Sequence, residues 1–273
     1  MKQPALSHHL KVLAQAGLLT TRRERTTVYY RRNTQGLEGG SLSLRLLEEL
    51  DALPLPDEVE ARLHEVQAAR SAASRQFFAL NAARFAEQQE LIASFAEYGP
   101  AAAQRAAELT PHEATVLEIG PGTGELLPLL AERFDRVIGL DNSAEMLAKA
   151  EAQVRERGLR NVELLLGDTG TALAAGLRPE AIIVNMVLHH VPEPEQLLRD
   201  VAALLPAGGV LVLTELCEHD QAWAREACGD VWLGFLPEAL SSFARDAGLR
   251  EGRADYLALK NGFRIQIREF LKG

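Results

Sequence analysis

The sequence predicts an α/β chain whose main part is a doubly wound, mostly parallel sheet, preceded by a helical stretch and a small basic head. Three observations carry this expectation. From Thr115 onward, short β-rich apolar runs alternate with helical ones, the order that builds a parallel sheet with helices on both faces. A glycine-dense run, Gly120-Pro121-Gly122-Thr123-Gly124, follows the first of those strands. Charge is also unevenly spread over the 273 residues. The net charge is −9, yet residues 1–36 hold seven Lys/Arg (Lys2, Lys11, Arg22, Arg23, Arg25, Arg31, Arg32) against Glu24 alone, which leaves about −15 for the rest. Such a shift marks a boundary and assigns the head, not the body, to any polyanionic partner.

Composition narrows the class. A chain that is 47% hydrophobic and 25% charged has the balance of a globular protein with a real core, and its length suits one full α/β domain plus a smaller piece. The longest apolar runs, such as Ala181–Leu188, fall short of the roughly 18 residues that span a bilayer. Met1–Leu10 lacks the apolar core of a secretory signal. Cys217 and Cys228 form no CxxC pair, which fits a reducing compartment, so the cytoplasm is expected.

In the head, Gln3-Pro4 opens a helix, since proline is tolerated in a first turn. Leu6, Leu10 and Leu13 recur as one apolar stripe, with Ser7, His8 and Lys11 away from it. Ala16-Gly17 closes the helix. Two β-prone runs, Leu18–Arg23 and Thr27–Arg32, flank the charged turn Glu24-Arg25-Thr26 and read as a hairpin. The run Gln3-Pro4-Ala5-Leu6-Ser7-His8-His9-Leu10-Lys11-Val12-Leu13, with Ala16-Gly17-Leu18-Leu19 after it, resembles the recognition helix of ArsR-type winged-helix regulators. The resemblance implies that Gln3, Ser7 and His8 face bases, while Lys11, Arg22, Arg23, Arg25 and Arg31 neutralise phosphates. That family's preceding helices are not in this sequence, and a lone helix cannot bury its stripe. The expectation is that Met1 is an internal methionine of a longer reading frame. His8-His9 is not read as a metal site, because helical neighbours point about 100° apart.

Residues 36–110 are rich in Ala, Leu, Glu, Gln and Arg. Gly36, Gly39 and Gly40 break the chain. Ser41–Leu53 reads as a helix stopped by Pro54-Leu55-Pro56, and Asp57 caps a long helix to about Phe85, continuing to Tyr98 before Gly99-Pro100. Phe77, Phe78, Phe85 and Phe95 read as packing struts against the following domain or a dimer partner; a lid over a ligand pocket is the alternative.

Residues 111–273 carry the alternation. Strands are expected at Thr115–Ile119, Arg136–Leu140, Val162–Leu166, Ala181–Met186 and Gly209–Thr214, with helices at Glu125–Phe134, Glu145–Gly158 and Glu193–Leu205. Ligands of such sheets bind at the carboxyl ends of the strands. The spacing Gly120-x-Gly122-x-Gly124 after Glu118 allows a tight turn and close backbone approach to a ligand, without matching the GxGxxG of dinucleotide sites. Asp141, about 20 residues on, suits paired ribose hydroxyls. Asp168, after the third strand, can accept from an exocyclic amine.

Together Val116–Gly124, Gly139-Leu140-Asp141-Asn142-Ser143 with Met146-Leu147, Gly167-Asp168 and Val184–Val191 resemble the class I S-adenosylmethionine-dependent methyltransferases, closest in flavour to small-molecule and quinone-biosynthesis enzymes. The resemblance implies a Rossmann-like, seven-stranded sheet ending in a reversed hairpin. Asp255–Lys260 and Phe263–Arg268, joined by Asn261-Gly262, match that hairpin. It implies S-adenosyl-L-methionine as cofactor and S-adenosyl-L-homocysteine as product. By motif position Gly120, Gly122 and Gly124 would line the methionine moiety, Asp141 the ribose, and Met146 and Asp168 the adenine, with Asn142 also among the cofactor-binding residues. Asn185 and Leu188-His189 would border the methyl-transfer face. Glu118 either braces the loop or touches the cofactor.

A sulfonium donor needs alignment and exclusion of water more than a base. His189, or His190 beside it, is the catalytic candidate, and both also read as structural. The sequence lacks the Asn/Asp-Pro-Pro-aromatic and Pro-Cys patterns of DNA-methylating enzymes, so DNA is not expected as methyl acceptor. Cys217 and Cys228 read as packing residues. The aromatics of Cys228–Phe235 either line an acceptor pocket or belong to the core. Two functions stay open: an enzyme, or a sensor of S-adenosylmethionine or its demethylated product that shifts DNA affinity without turnover. The combined expectation is an ArsR-type regulator fused to a small-molecule methyltransferase domain. Its partners would be DNA and a small methyl acceptor, with a homodimer, no membrane and no metal.

Overall fold

The alternation becomes a seven-stranded sheet in the computed structural model, which describes residues 3–24, 27–33, 42–51, 53–81 and 84–273. The chain divides into two units, Met1–Leu63 and His64–Gly273.

In the first unit, α1 (Gln3–Gln15) is followed by β1 (Leu19–Glu24) and β2 (Thr27–Arg32), an antiparallel pair with Leu19 opposite Arg32. Gly17 ends the helix in the left-handed region at φ +76°. Its N–H donates to the Ala14 carbonyl, and the Leu18 N–H to that of Leu13, the paired bonds of a glycine-terminated helix. No described residue of α1 is buried. Gln3, Ser7, His8 and Lys11 lie exposed along it. Arg25, Gly36, Gly39 and Gly40 lie outside the described residues, and of Arg22, Arg23 and Arg31 only the backbone is described. Helix α2 (Leu42–Asp51) comes next.

Helix α3 (Asp57–Asn81) is shorter than its sequence suggests. The expected continuation to Tyr98 is replaced by α4 (Phe85–Glu90) and α5 (Phe95–Leu109). Helix α5 starts where the Glu97 carboxylate accepts the Ser94 N–H at 3.2 Å, a helix-start device. Gly99-Pro100, expected to end a helix, lies inside α5 instead. Pro100 is the sixth residue of α5, so it costs the helix the bond that an N–H there would give to the Ala96 carbonyl.

Then follow β3 (Thr115–Ile119), α6 (Leu127–Ala131), β4 (Arg136–Asp141), α7 (Ala144–Glu156), β5 (Val162–Leu166), α8 (Thr169–Ala174) and β6 (Ala181–Asn185). A 3-10 turn at Leu188–His190 leads to α9 (Pro194–Leu204), β7 (Val210–Leu216), α10 (Trp223–Ala227), α11 (Pro237–Asp246), β8 (Leu249–Ala258) and β9 (Arg264–Lys272). Helix α6 is shorter than expected, because Pro128 fits only a first turn. The hairpin strands are longer, and a bulge lies between Glu251 and Ala254.

The sheet order is β5-β4-β3-β6-β7-β9-β8. Pairs β3–β4, β3–β6, β4–β5 and β6–β7 are parallel, and β7–β9 and β8–β9 antiparallel. Period-two alternation sends neighbouring side chains to opposite faces. Val116, Ile183 and Val212 meet Ala103, Ala106, Leu127 and Ala150 on one face. On the other, Leu117, Ile182 and Leu211 meet Leu198, Val201, Leu240 and Phe243. Each such Leu or Phe contributes roughly 1.5–3 kcal/mol by its burial. The strand order reverses between β3 and β6, which opens a crevice at their carboxyl ends. Among the described residues no helix is long and apolar enough to cross a membrane.

Candidate active site

A cavity of about 310 Å³ lies at the carboxyl ends of β3, β4, β5 and β6. Its wall includes Glu118, Gly120, Gly122, Asp141, Asn142, Met146, Asp168 and Asn185, eight of the nine cofactor residues expected from sequence. The ninth, Gly124, is not on the wall. At φ +88° it lets α7 approach, since a Cβ there would lie 3.1 Å from the Ala150 Cα.

Backbone shape makes the floor. Gly120 sits at φ +70° and Gly122 at φ +58°, a region that costs side-chain-bearing residues about 1–2 kcal/mol. A Cβ on Gly120 would fall 2.6 Å from Val187 Cγ2, so that position is closed to side chains on steric grounds as well. Met186, just after β6, adopts φ +57° without being glycine. Its N–H donates to the Thr214 carbonyl at 2.8 Å, which holds the strain in place beside the cavity.

Two carboxyl groups share the cavity wall. Glu118 is buried, and burial, with Asp141 adding repulsion, pushes its carboxyl up to about 8. Its Oε2 has no hydrogen-bond partner, and neither has Asn185 Oδ1. Burial also raises Asp141, to about 6, against the pull of the Ser143, Gly122 and Asn142 N–H groups; the Ser143 N–H donates to Oδ1 at 2.9 Å. Asp168 differs. It is exposed and caps α8, its Oδ1 accepting from the Thr171 N–H at 2.9 Å and hydroxyl at 3.0 Å. The Thr171 N–H in particular holds its carboxyl below the usual range. Met146 is buried, and its N–H donates to Ser143 Oγ.

The histidines separate. His190 lines the cavity and His189 does not. His189 is fully buried, its Nδ1 2.6 Å from Glu215 Oε1. Burial opposes its charge, but Glu215 and Asp230 outweigh that and hold the imidazole up at about 9. His190 lies well below its usual value through burial and the neighbouring His189. A base placed at His189 therefore has no cavity face to act on.

The far wall, which the sequence offered only as the alternative to packing struts, is made by Ser71, Ser74, Arg75 and Phe78 of α3 with Phe95 and Tyr98 of α5. Phe78 meets the His190 ring edge-on at 5.0 Å between centroids, and Ser74 Oγ donates to the His190 carbonyl at 3.4 Å. The signal available was the Phe77-Phe78 pair, which fitted a strut equally well. Trp232 and Phe235 are not on this wall; they pack with the second core cluster. Cys217 and Cys228 are buried, and burial pushes the Cys228 thiol up to about 12, which fits packing residues.

Comparisons with known proteins agree with this geometry. Residues 85–251 match a family model described as a methyltransferase domain. The chain is similar to the trans-aconitate 2-methyltransferase of Variovorax paradoxus (strain S110), 40% identical over 105 residues, covering 38% of this chain and 39% of that protein. It is also similar to the ubiquinone biosynthesis O-methyltransferase of Xanthomonas axonopodis pv. citri (strain 306), 28% identical over 163 residues, covering 53% of this chain and 66% of that protein. Among solved structures, a SAM-dependent methyltransferase from Aquifex aeolicus superposes with a TM-score of 0.52 at 20% identity, covering 67% of this chain and 96% of that one. The cyclase SpnF superposes with a TM-score of 0.53 at 18% identity, covering 63% and 80%; at such identity the likeness concerns the fold alone. The chain spans 39% of the length of the first of these relatives and 66% of the second.

Proposed function

The chain belongs to the methyltransferase-domain family, and from that premise we propose that it transfers a methyl group from S-adenosyl-L-methionine to a small molecule. One observation carries the reading: left-handed glycines and two acidic strand ends converge on a single cavity, with the buried Glu118 Oε2 and Asn185 Oδ1 lacking partners. Buried polar atoms are nearly always satisfied, so their convergence fits a polar ligand. When bound, the cofactor supplies an electrophilic methyl on a sulfonium. The residues then bind and orient. Gly120 and Gly122 give backbone approach to the amino-acid part, Asp141 with Asn142 meets the ribose, and Met146 lies against the base. Asp168 still has one carboxylate oxygen outside its cap. The wall from α3 and α5 excludes water.

Calorimetry with S-adenosylmethionine and S-adenosylhomocysteine tests this. Asp141→Ala is expected to weaken both by tenfold or more, about 1.4 kcal/mol. Absence of binding at millimolar ligand would remove the reading.

A second reading concerns the first unit, residues that the family match does not reach. The order of helix α1 and hairpin β1–β2, with exposed Gln3, Ser7, His8 and Lys11, favours an ArsR-like recognition helix and wing that binds DNA. Such a regulator would be a homodimer, because two half-sites need two copies, and its second unit would then sense the cofactor or its product. Fluorescence anisotropy with duplex DNA tests it: affinity should fall steeply with salt, and no binding at low salt would end it.

A further inference from the structure

We propose that His189, His190 and Asp230 form a binding site for one divalent metal ion of the zinc class, set in the wall beside the cavity. All three residues are buried, and one ligand atom from each lies within 4.8 Å of the others. His190 Nδ1 is 3.8 Å from Asp230 Oδ1, and His189 Nε2 is 4.0 Å from the same oxygen. Bonds of ~2.1 Å at tetrahedral angles set ligand atoms ~3.4 Å apart, so the two histidine–Asp230 distances need to close by about half an ångström and the whole set, within 4.8 Å, by at most about 1.4 Å. The two rings lie 4.0 Å apart between centroids. The two residues are neighbours on a 3-10 turn, and Asp230 comes to them from another segment.

Three further observations point to a cation. Both Asp230 carboxylate oxygens and His189 Nε2 are buried without a hydrogen-bond partner, a costly state that a ligand would relieve. Glu215 holds His189 Nδ1 at 2.6 Å, the carboxylate–histidine arrangement that orients a metal-binding imidazole and leaves its other nitrogen for the ion. Glu215 and Asp230 also place two carboxylates in one buried cluster. Nearby Arg225 donates from its guanidinium to the Asp230 and Val231 backbone carbonyls. The scaffold is already tied together, because the Val231 and Trp232 N–H groups donate to the His189 carbonyl at 2.9 and 3.0 Å. Three protein ligands leave a fourth position for water.

Metal uptake does not depend on methyl transfer, so it is read without cofactor or acceptor. The full chain, stripped with a chelator, is titrated with cobalt(II) alone while its visible ligand-field absorption is followed. One equivalent should give low-symmetry bands that zinc(II) abolishes. Asp230→Asn should weaken cobalt binding at least tenfold, and Glu215→Gln by about 10–100-fold. Because either variant could misfold, wild-type protein with 15N-labelled histidine is titrated with zinc(II) in parallel. The His189 and His190 ring nitrogens should shift, with the backbone amide spectrum otherwise kept. No cobalt band, or uptake that leaves both rings unmoved, would overturn the site in favour of a direct imidazole–carboxylate pair.

Discussion

Glu118 is a residue whose carboxyl lies far from its ordinary range. Burial, with Asp141 behind it, raises its carboxyl to about 8 from 4.5. Between those values the folded chain holds a proton that the unfolded chain has lost. Its contribution to stability is therefore full below about 4.5 and lost as pH rises through about 8. A cationic ligand reverses the preference, since it favours the carboxylate. S-adenosylmethionine affinity should thus rise by up to tenfold per pH unit between about 6.5 and 8, with proton release, and level off above. Asp141, raised to about 6, is already ionised over most of that window. Calorimetry at several pH values in two buffers checks this, and Glu118→Gln should flatten the profile; a flat wild-type profile would take Glu118 out of the site. Gly120 gives the steric counterpart. Gly120→Ala forces a Cβ to within 2.6 Å of Val187 Cγ2, whereas Gly208→Ala, at φ +79°, meets nothing within 4 Å. Both should lose about 1–2 kcal/mol of stability in denaturant unfolding through the left-handed backbone, but only Gly120→Ala should also lose cofactor affinity, by tenfold or more.

At the scale of elements, the sequence spelled out the carboxyl ends of the strands and little of what covers them. Glycines with positive φ and acids at strand ends are local necessities, so Gly120, Asp141 and Asp168 could be found by spacing alone. The long helix α3 offered no such signal. Its apolar residues are scattered, no described residue of it is buried, and it is mostly exposed along its length; nothing in the pattern says which side faces a ligand. The choice between His189 and His190 stayed open for a related reason: the left-handed Met186 and the 3-10 turn after it decide which of two adjacent rings reaches the cavity, and that geometry is not written in a dipeptide. The wall from α3 has a testable consequence. Phe78→Ala removes the ring that meets His190 at 5.0 Å, an edge-on contact of about 0.5–1.5 kcal/mol. Cofactor release, followed by stopped-flow fluorescence, should speed up by several-fold to about tenfold while the melting temperature changes little. An unchanged release rate would return α3 to the role of a strut.

Over the whole molecule, legibility follows burial. The alternation of strands and helices in residues 115–214 was plain because both faces of the sheet demand apolar residues, and β7 is buried at all seven positions. The antiparallel hairpin was recognisable from Asn261-Gly262, yet its full length was not, because the outer strand β8 alternates with solvent and carries a bulge. The first unit was read from resemblance and charge instead of packing, and its residues show why: Leu6, Val12 and Leu13 are 48%, 47% and 39% exposed. This contrast predicts a gradient of local stability. Amides of β6, β7 and β9, paired within the sheet and screened by two apolar clusters, should exchange with solvent only through global opening. Amides of α1, held by helical bonds over an uncovered stripe, should exchange through local fraying at rates orders of magnitude faster. Hydrogen exchange read by mass spectrometry separates the two sets. Adding S-adenosylmethionine should slow exchange in residues 118–124 and 141–146 while leaving α1 as it was. Protection of α1 by the cofactor alone would instead tie the first unit's order to ligand binding, and would favour the sensing regulator over the enzyme with an independent head.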